Sequence, residues 1–178
     1  MKILIQGGRV IDPISKTDTV ADVAISAGKI VAIGKAPAEF QAQKTIDAKG
    51  LIVMPGLVDL SVRLKEPGHE HEGMLDSELA AAVAGGVTSL VCPPDTDPVL
   101  DEPGLVEMLR FKAEKHHRAH VMPLGALTRG LKGEVLTEMV QLTEAGCVGF
   151  SQAEVALENT QVLQRALQYA NSFGYKIG

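Results

Sequence analysis

Residues 55–68 of the 178-residue chain read PGLVDLSVRLKEPG, and they carry the clearest strand pattern in the sequence. An apolar run at its start passes into alternating apolar positions at Leu60, Val62 and Leu64, and the turn signal Pro67-Gly68 ends it. This pattern predicts a buried strand whose carboxyl end opens into a loop.

The chain after residue 50 alternates between strand and helix patterns. Apolar stripes at helical spacing predict a helix after each strand, and a doubly wound open sheet is the alternative to a barrel. No Gly-rich phosphate loop follows the first strand, so we favour an α/β protein built as a (β/α) barrel. Strands are predicted at residues 51–62, 87–92, 119–124 and 147–151, with the start of a fifth at 175–178.

The first fifty residues show a different pattern, in which short strands are separated by turns. Residues 20–26 and 30–33 flank the turn Ala27-Gly28-Lys29, which predicts a β-hairpin. We therefore predict two domains: a small β-sandwich-like segment over residues 1–50 and a barrel over residues 51–178.

The predicted barrel is shorter than a complete one. A TIM-type (β/α)8 barrel takes about 250 residues, so the second domain has room for about four β/α units. We predict a partial (β/α)8 TIM-type barrel, its first half, preceded by the small N-terminal β segment. We expect the sequence to be a fragment of a longer chain, or to complete its barrel with a second copy.

Composition excludes several classes of function. The chain is 46% hydrophobic and carries a formal net charge of −5, which argues against binding to nucleic acid or to an acidic membrane surface. Cys92 and Cys147 are too few for a disulfide scaffold. The sequence contains neither a signal peptide nor an apolar run of about 18 residues, so we predict a cytoplasmic protein.

Two motifs carry a resemblance to a known family. The first is the stretch at 55–68, and the second reads GGVTSLVCPPDTDP at residues 85–98. Together they resemble the dihydroorotases and related cyclic amidohydrolases, and the similarity extends over the whole chain. The resemblance implies a barrel of the metallo-dependent-hydrolase type, in which the family carries a His-x-His pair on the first strand that holds two metal ions.

The family's metal ligands are replaced in this chain. Ser61 and Arg63 stand at the positions of the His pair, and Ala153, in Phe150–Glu154, stands where the family has a bridging acid. Serine is a poor zinc ligand, and the permanent positive charge of arginine opposes the binding of two cations. Active family members use zinc, but here we expect no metal at these positions and no other cofactor.

The family's substrate-binding residues are also altered. The resemblance places Lys65 and Asp95 where dihydroorotases have an Arg and an Asn that hold the substrate carboxylate. Lysine keeps the charge but loses the bidentate fork of arginine, and the acceptor-only carboxylate of Asp95 repels an anion. We interpret Lys65 and Asp95 as vestigial substrate-binding positions, and we assign no catalytic residue.

Two hypotheses of function follow from the resemblance. The first is a non-catalytic dihydroorotase-like protein of pyrimidine biosynthesis that acts as a structural or regulatory partner of aspartate transcarbamoylase, or that associates with itself. The alternative is an active zinc-dependent dihydroorotase or amidohydrolase that hydrolyses a cyclic amide bond with a relocated metal site. Whether the protein is an enzyme stays open at this point.

A second His-x-His pair, His69 and His71, lies in the loop after the first predicted strand. Metal ligation is one interpretation of this spacing. Because Glu66, Glu70 and Glu72 surround the pair, we favour a solvated, charged loop.

Overall fold

The computed structural model describes residues 1–178 and divides the chain into two units, Met1–Pro55 and Gly56–Gly178. The sequence predicts a division after residue 50. The boundary falls later because Ile52–Val53 pairs with the first strand of the N-terminal unit instead of opening the second sheet. No helix combines the length and the hydropathy that a membrane-spanning segment needs.

The N-terminal unit is a single five-stranded sheet in the order β3-β2-β1-β4, with β5 also pairing with β1. The predicted hairpin is confirmed: Ala27 and Gly28, which join β2 to β3, have φ angles of 50° and 74°, as a tight hairpin turn requires. The strands are β1 (Lys2–Asp12), β2 (Thr17–Ser26), β3 (Lys29–Ile33), β4 (Lys44–Asp47) and β5 (Ile52–Val53).

Strand β1 continues through Gly7-Gly8, although glycine inside a strand weakens it. Gly7 has a φ of 72°, and the register against β2 shifts between Ile5 and Gly8. A Cβ on Gly8 would lie 2.6 Å from the side chain of Val53. The two glycines therefore form a β-bulge that keeps one strand continuous.

The second unit alternates strands and helices around a parallel sheet in the order β6-β7-β8-β9, which confirms an α/β fold with parallel strands. The backbone of Phe150 exchanges hydrogen bonds of 2.9 and 3.0 Å with Lys176 and Gly178, so the predicted start of a fifth strand is also confirmed. The strands are β6 (Leu57–Asp59), β7 (Val87–Cys92), β8 (His120–Ala126) and β9 (Gly149–Ser151). The helices are α1 (Leu75–Ala84), α2 (Pro103–Lys115), α3 (Met139–Ala145) and α4 (Thr160–Phe173).

The single first strand predicted over residues 51–62 is wrong, because the chain changes sheets at Pro55-Gly56. Proline has no N–H to donate, and a Cβ on Gly56 would lie 2.0 Å from the hydroxyl of Thr88. Residues 52–53 pair with β1, and only residues 57–59 enter the parallel sheet.

Burial of the parallel strands is uneven along their length. Strand β9 is buried throughout, whereas β7 and β8 are buried mainly toward their carboxyl ends. The core between sheet and helices is made largely of leucine. Its largest fully buried side chains are Leu64, Leu75, Leu79, Leu90, Leu100, Leu109, Leu127, Met139, Leu142 and Phe150.

Candidate functional site

Three charged residues follow three different strands of the parallel sheet. Arg63 comes after β6, Asp95 after β7 and Glu154 after β9. Because the carboxyl ends of parallel strands lie at one edge of a sheet, these side chains can meet, and this edge carries the active site in (β/α) barrel enzymes. The backbone N–H of Val62 donates to the carbonyl of Val91 at 2.9 Å and holds the segment before Arg63 beside β7.

The guanidinium of Arg63 joins the two carboxylates. Its Nε lies 2.8 Å from Oδ2 of Asp95, and its Nη2 lies 3.1 Å from Oε1 of Glu154. The hydrogen bond to Asp95 is the main cause that raises the pKa of the Arg63 guanidinium. Glu154 reaches this edge because Ala153, with a φ of 52°, turns the chain immediately before it.

The residues at the expected metal positions do not fit a metal centre. A guanidinium holds both nearby carboxylates, and Ala153 offers only a methyl group. The neighbouring Gln152 is buried, and its amide is already used: Oε1 accepts from the hydroxyl of Thr128 at 2.9 Å, and Nε2 donates to the carbonyl of Leu131 at 2.8 Å. The site thus offers no imidazole or thiolate, and its two carboxylates are already paired with Arg63, so it lacks a set of free zinc ligands.

The structure brings Lys65 and Asp95 to one cavity of about 220 Å³. Each of these two residues is paired with an opposite charge from this chain. Nζ of Lys65 lies 2.6 Å from Oε2 of Glu72, and this contact lowers the pKa of the Glu72 carboxyl. A bound anion would therefore compete with Glu72 for the ammonium group of Lys65.

Glu66 is a residue of this loop whose role the sequence does not predict. Its side chain is only 12% exposed, and its carboxylate accepts hydrogen bonds from the backbone N–H of Leu75 at 3.0 Å and from Nζ of Lys112 at 2.8 Å. The bond to Lys112 is the main cause that lowers the pKa of the Glu66 carboxyl. Glu66 thus connects the loop after β6 to the start of α1 and to α2. Its carboxylate caps the first N–H of α1 from nine residues before Leu75, a separation that no helix-capping motif in the sequence would indicate.

Cys92 lines the cavity of about 220 Å³, whereas Cys147 does not. Both thiols are buried, and burial raises the pKa of Cys92 to about 11 and that of Cys147 to about 12. Since the thiolate is the reactive form, neither side chain is suited to act as a nucleophile at neutral pH.

Comparison with known proteins agrees with the two sequence motifs. The family model described as "Dihydro-orotase-like" matches residues 50–175. A "Dihydroorotase-like protein" of Pseudomonas aeruginosa is 54% identical over 173 residues, which cover 97% of this chain and 41% of the relative. A "Dihydroorotase" of Geobacter metallireducens is 42% identical over 177 residues, covering 99% and 42% of the two chains.

Solved structures give the same fold. The L-hydantoinase (dihydropyrimidinase) from Arthrobacter aurescens superposes with a TM-score of 0.78 at 26% identity, covering 98% of this chain and 39% of the hydantoinase. The chain spans about two fifths of the length of the curated relatives it matches. Because the family model covers most of the chain and the same motifs surround the Arg63 site, this chain belongs to the dihydroorotase-like family.

Proposed function

We propose that this chain is part of a catalytically inactive dihydroorotase-like protein of pyrimidine biosynthesis that acts as a structural or regulatory partner of aspartate transcarbamoylase. The observation that carries the proposal is the position of Arg63, whose guanidinium bonds to Asp95 and Glu154 at the strand ends. In this proposal residues 56–178 supply the first half of a (β/α)8 barrel, and Arg63 closes part of its mouth.

Electrostatics support the absence of a metal at this mouth. A dication would approach a permanently charged guanidinium, and it would have to break two ion pairs to reach the carboxylates. Breaking them would leave Arg63 without its partners. Since Ser61 and Ala153 offer no strong replacement ligands, nothing compensates for that loss.

Substrate binding is opposed as well. Dihydroorotate carries a carboxylate, and both candidate contacts are already neutralised within the chain, Lys65 by Glu72 and Asp95 by Arg63. An incoming anion would have to displace Glu72 and would meet the acceptor-only oxygens of Asp95. The partner is proposed on the resemblance to non-catalytic dihydroorotase-like chains that accompany aspartate transcarbamoylase, with self-association as the other outcome.

Two measurements on the full-length protein test the proposal. With zinc supplied, we expect no dihydroorotase turnover above the uncatalysed rate, while an active dihydroorotase assayed in parallel turns over. We also expect the protein to co-migrate with aspartate transcarbamoylase of the same organism in size-exclusion chromatography. Zinc-dependent turnover would favour the alternative, an active amidohydrolase with a relocated metal site, and separate elution of the two proteins would remove the proposed partner.

A further inference from the structure

The loop after β6 gathers a second set of metal-binding side chains, apart from the Arg63 site. The imidazoles of His69 and His71 and the carboxylate of Glu72 place one ligand atom each within 4.8 Å of the others, and all three residues are exposed. Two imidazoles and one carboxylate form a ligand set typical of zinc and neighbouring first-row metals.

The backbone of the loop creates this arrangement. The N–H of His69 donates to the carbonyl of Lys65 at 2.7 Å, and the N–H of Glu72 donates to the carbonyl of His69 at 2.9 Å. Gly68 has a φ of 106°, and a Cβ there would lie 2.4 Å from the carbonyl oxygen of Asp97, so the tight turn needs glycine. Two successive turns thus bring residues 69, 71 and 72 to one side of the loop.

We propose that His69, His71 and Glu72 form a mononuclear site for a borderline divalent metal ion such as Zn²⁺, with water completing the coordination. Ligand atoms around one tetrahedral zinc ion lie roughly 3.4 Å apart, given bonds of about 2.0–2.2 Å. Rotation of exposed side chains can close a gap of 4.8 Å to that distance. Two imidazole ligands select zinc, cobalt or nickel over magnesium and calcium, which prefer oxygen.

Lys65 is paired with one of the three proposed ligands. Its ammonium group lies 2.6 Å from Oε2 of Glu72, so a metal ion and Lys65 compete for the same carboxylate. His69 lines the cavity that also contains Arg63 and Asp95, which places the metal site at the rim of that cavity. None of the three ligands belongs to the Arg63 network that carries the proposed function, although Glu72 also pairs with Lys65.

Calorimetric titration of the purified protein with ZnCl₂ tests the proposal. We expect one saturable equivalent, and we expect His69→Ala and His71→Ala each to weaken binding at least tenfold. His120→Ala, a change at another exposed histidine, is the matched control and should leave binding unchanged. Glu72→Gln should weaken binding, whereas Glu70→Gln should not.

Replacement of Lys65, whose ammonium group competes for Glu72, gives the most specific test of the site. Lys65→Met frees Glu72, so we expect it to tighten zinc binding several-fold, and Co²⁺ in place of zinc should give the visible absorption of a tetrahedral site. Absence of saturable binding would overturn the proposal. Equal binding by wild type and by the His69→Ala, His71→Ala double variant would overturn it too, since the zinc would then lie elsewhere.

Discussion

At the scale of single residues, Arg63 and Asp95 are best understood together. An arginine alone at this strand end would bring an unpaired positive charge to the sheet edge, and an aspartate alone would bring a negative one. In the structure the two side chains bond at 2.8 Å, and Glu154 adds a second carboxylate at 3.1 Å. The three side chains form one ion-pair network, and each partner reduces the cost of the others.

Restoring the family's ligands tests whether the site has lost only its metal. The triple change Ser61→His, Arg63→His, Ala153→Asp should raise zinc uptake by the full-length protein, because imidazoles and a carboxylate replace a guanidinium and a methyl. Aspartate also tolerates the positive φ at residue 153. We expect little dihydroorotase turnover, since Lys65 and Asp95 remain.

The measurements for this triple variant are bound zinc and turnover, both in a His69→Ala, His71→Ala background that removes the loop site. Ser61→Ala with Arg63→Ala is the control, since it removes the arginine without adding ligands and should not take up zinc. Substantial turnover by the triple variant would show that Lys65 and Asp95 do not obstruct the substrate.

Part of this site could be predicted from sequence. The replacement of the family's metal ligands at residues 61 and 63 follows from the first motif, and that at residue 153 follows from the run Phe150–Glu154. The pairing of Arg63 with Glu154 could not, because it depends on the turn at Ala153. The clustering of His69 with Glu72 also could not, because it depends on backbone hydrogen bonds within the loop.

At the scale of elements, Glu66 links the loop after β6 to two helices. We expect Glu66→Gln to lower the free energy of unfolding at pH 7 by about 1–3 kcal/mol, because a hydrogen bond to a charged group is lost while the amide can still accept from Leu75. Denaturant unfolding measures the difference.

The pH dependence of this effect has a defined sign. The pKa of Glu66 is lowered from its ordinary value of 4.5, so the carboxylate stabilises the fold above that pH and loses its effect as the pH falls through the lowered value. The difference in free energy of unfolding between wild type and Glu66→Gln should therefore be largest at pH 7 and become smaller below about pH 4.5. Lys112→Met should show the same dependence on pH. A loss of unfolding free energy that is independent of pH would contradict the role of the ion pair.

Helix α4 shows where sequence periodicity is misleading. Apolar residues at helical spacing predict that Leu163, Ala166, Leu167 and Ala170 face the core. The structure confirms the burial of Ala166 and Ala170, adds Val162 to the buried face, and leaves Leu163 38% and Leu167 50% exposed. Ala166 and Ala170 are buried although they are small, whereas the larger Leu163 and Leu167 are partly exposed, and a count of apolar residues does not distinguish the two cases.

Two substitutions in α4 distinguish these orientations. Ala166→Leu should destabilise the protein by about 1–3 kcal/mol, because the fully buried alanine leaves no space for three more carbons. Leu167→Ala should stay within about 0.5 kcal/mol of wild type, as expected for a surface position. Thermal unfolding measures both, and the reverse order would support the periodicity-based orientation.

The order of helices and strands could be predicted more fully than the strand boundaries. Periodicity identifies α1, β7 and α2, where apolar stripes, Gly85-Gly86 and Pro103 act together. Periodicity fails at residues 51–62, because one apolar run contributes residues 52–53 to the first sheet and residues 57–59 to the second. The close contact of Gly56 with Thr88, which separates the two strands, leaves no mark in the apolar pattern.

At the scale of the whole molecule, the parallel sheet leaves apolar side chains exposed around β6. Leu57 and Val58 lie on that strand, and Leu60 just after it is 74% exposed. Covering such surface contributes about 25 cal/mol per Å². These residues are therefore candidates for contact with the rest of a closed barrel or with a second copy.

A dye that binds apolar surface tests this exposure. We expect a polypeptide comprising residues 1–178 to enhance the fluorescence of such a dye, and Leu60→Ser to reduce the signal. If the rest of the full-length protein covers this surface, the dye fluorescence of the full-length protein should be low. Leu60→Ser should then leave it unchanged. A weak signal from residues 1–178 that does not respond to Leu60→Ser would contradict the exposure of this surface.

Bound zinc in the full-length protein carrying His69→Ala and His71→Ala shows whether the strand ends around Arg63 hold a metal, because these two changes remove the loop site. Equilibrium dialysis against zinc, followed by elemental analysis, gives the number of ions per chain. If Arg63 holds Asp95 and Glu154 in place of a metal, the result is no stoichiometric zinc. One or two equivalents of zinc, lost on a further Glu154→Gln change, would contradict this role of Arg63.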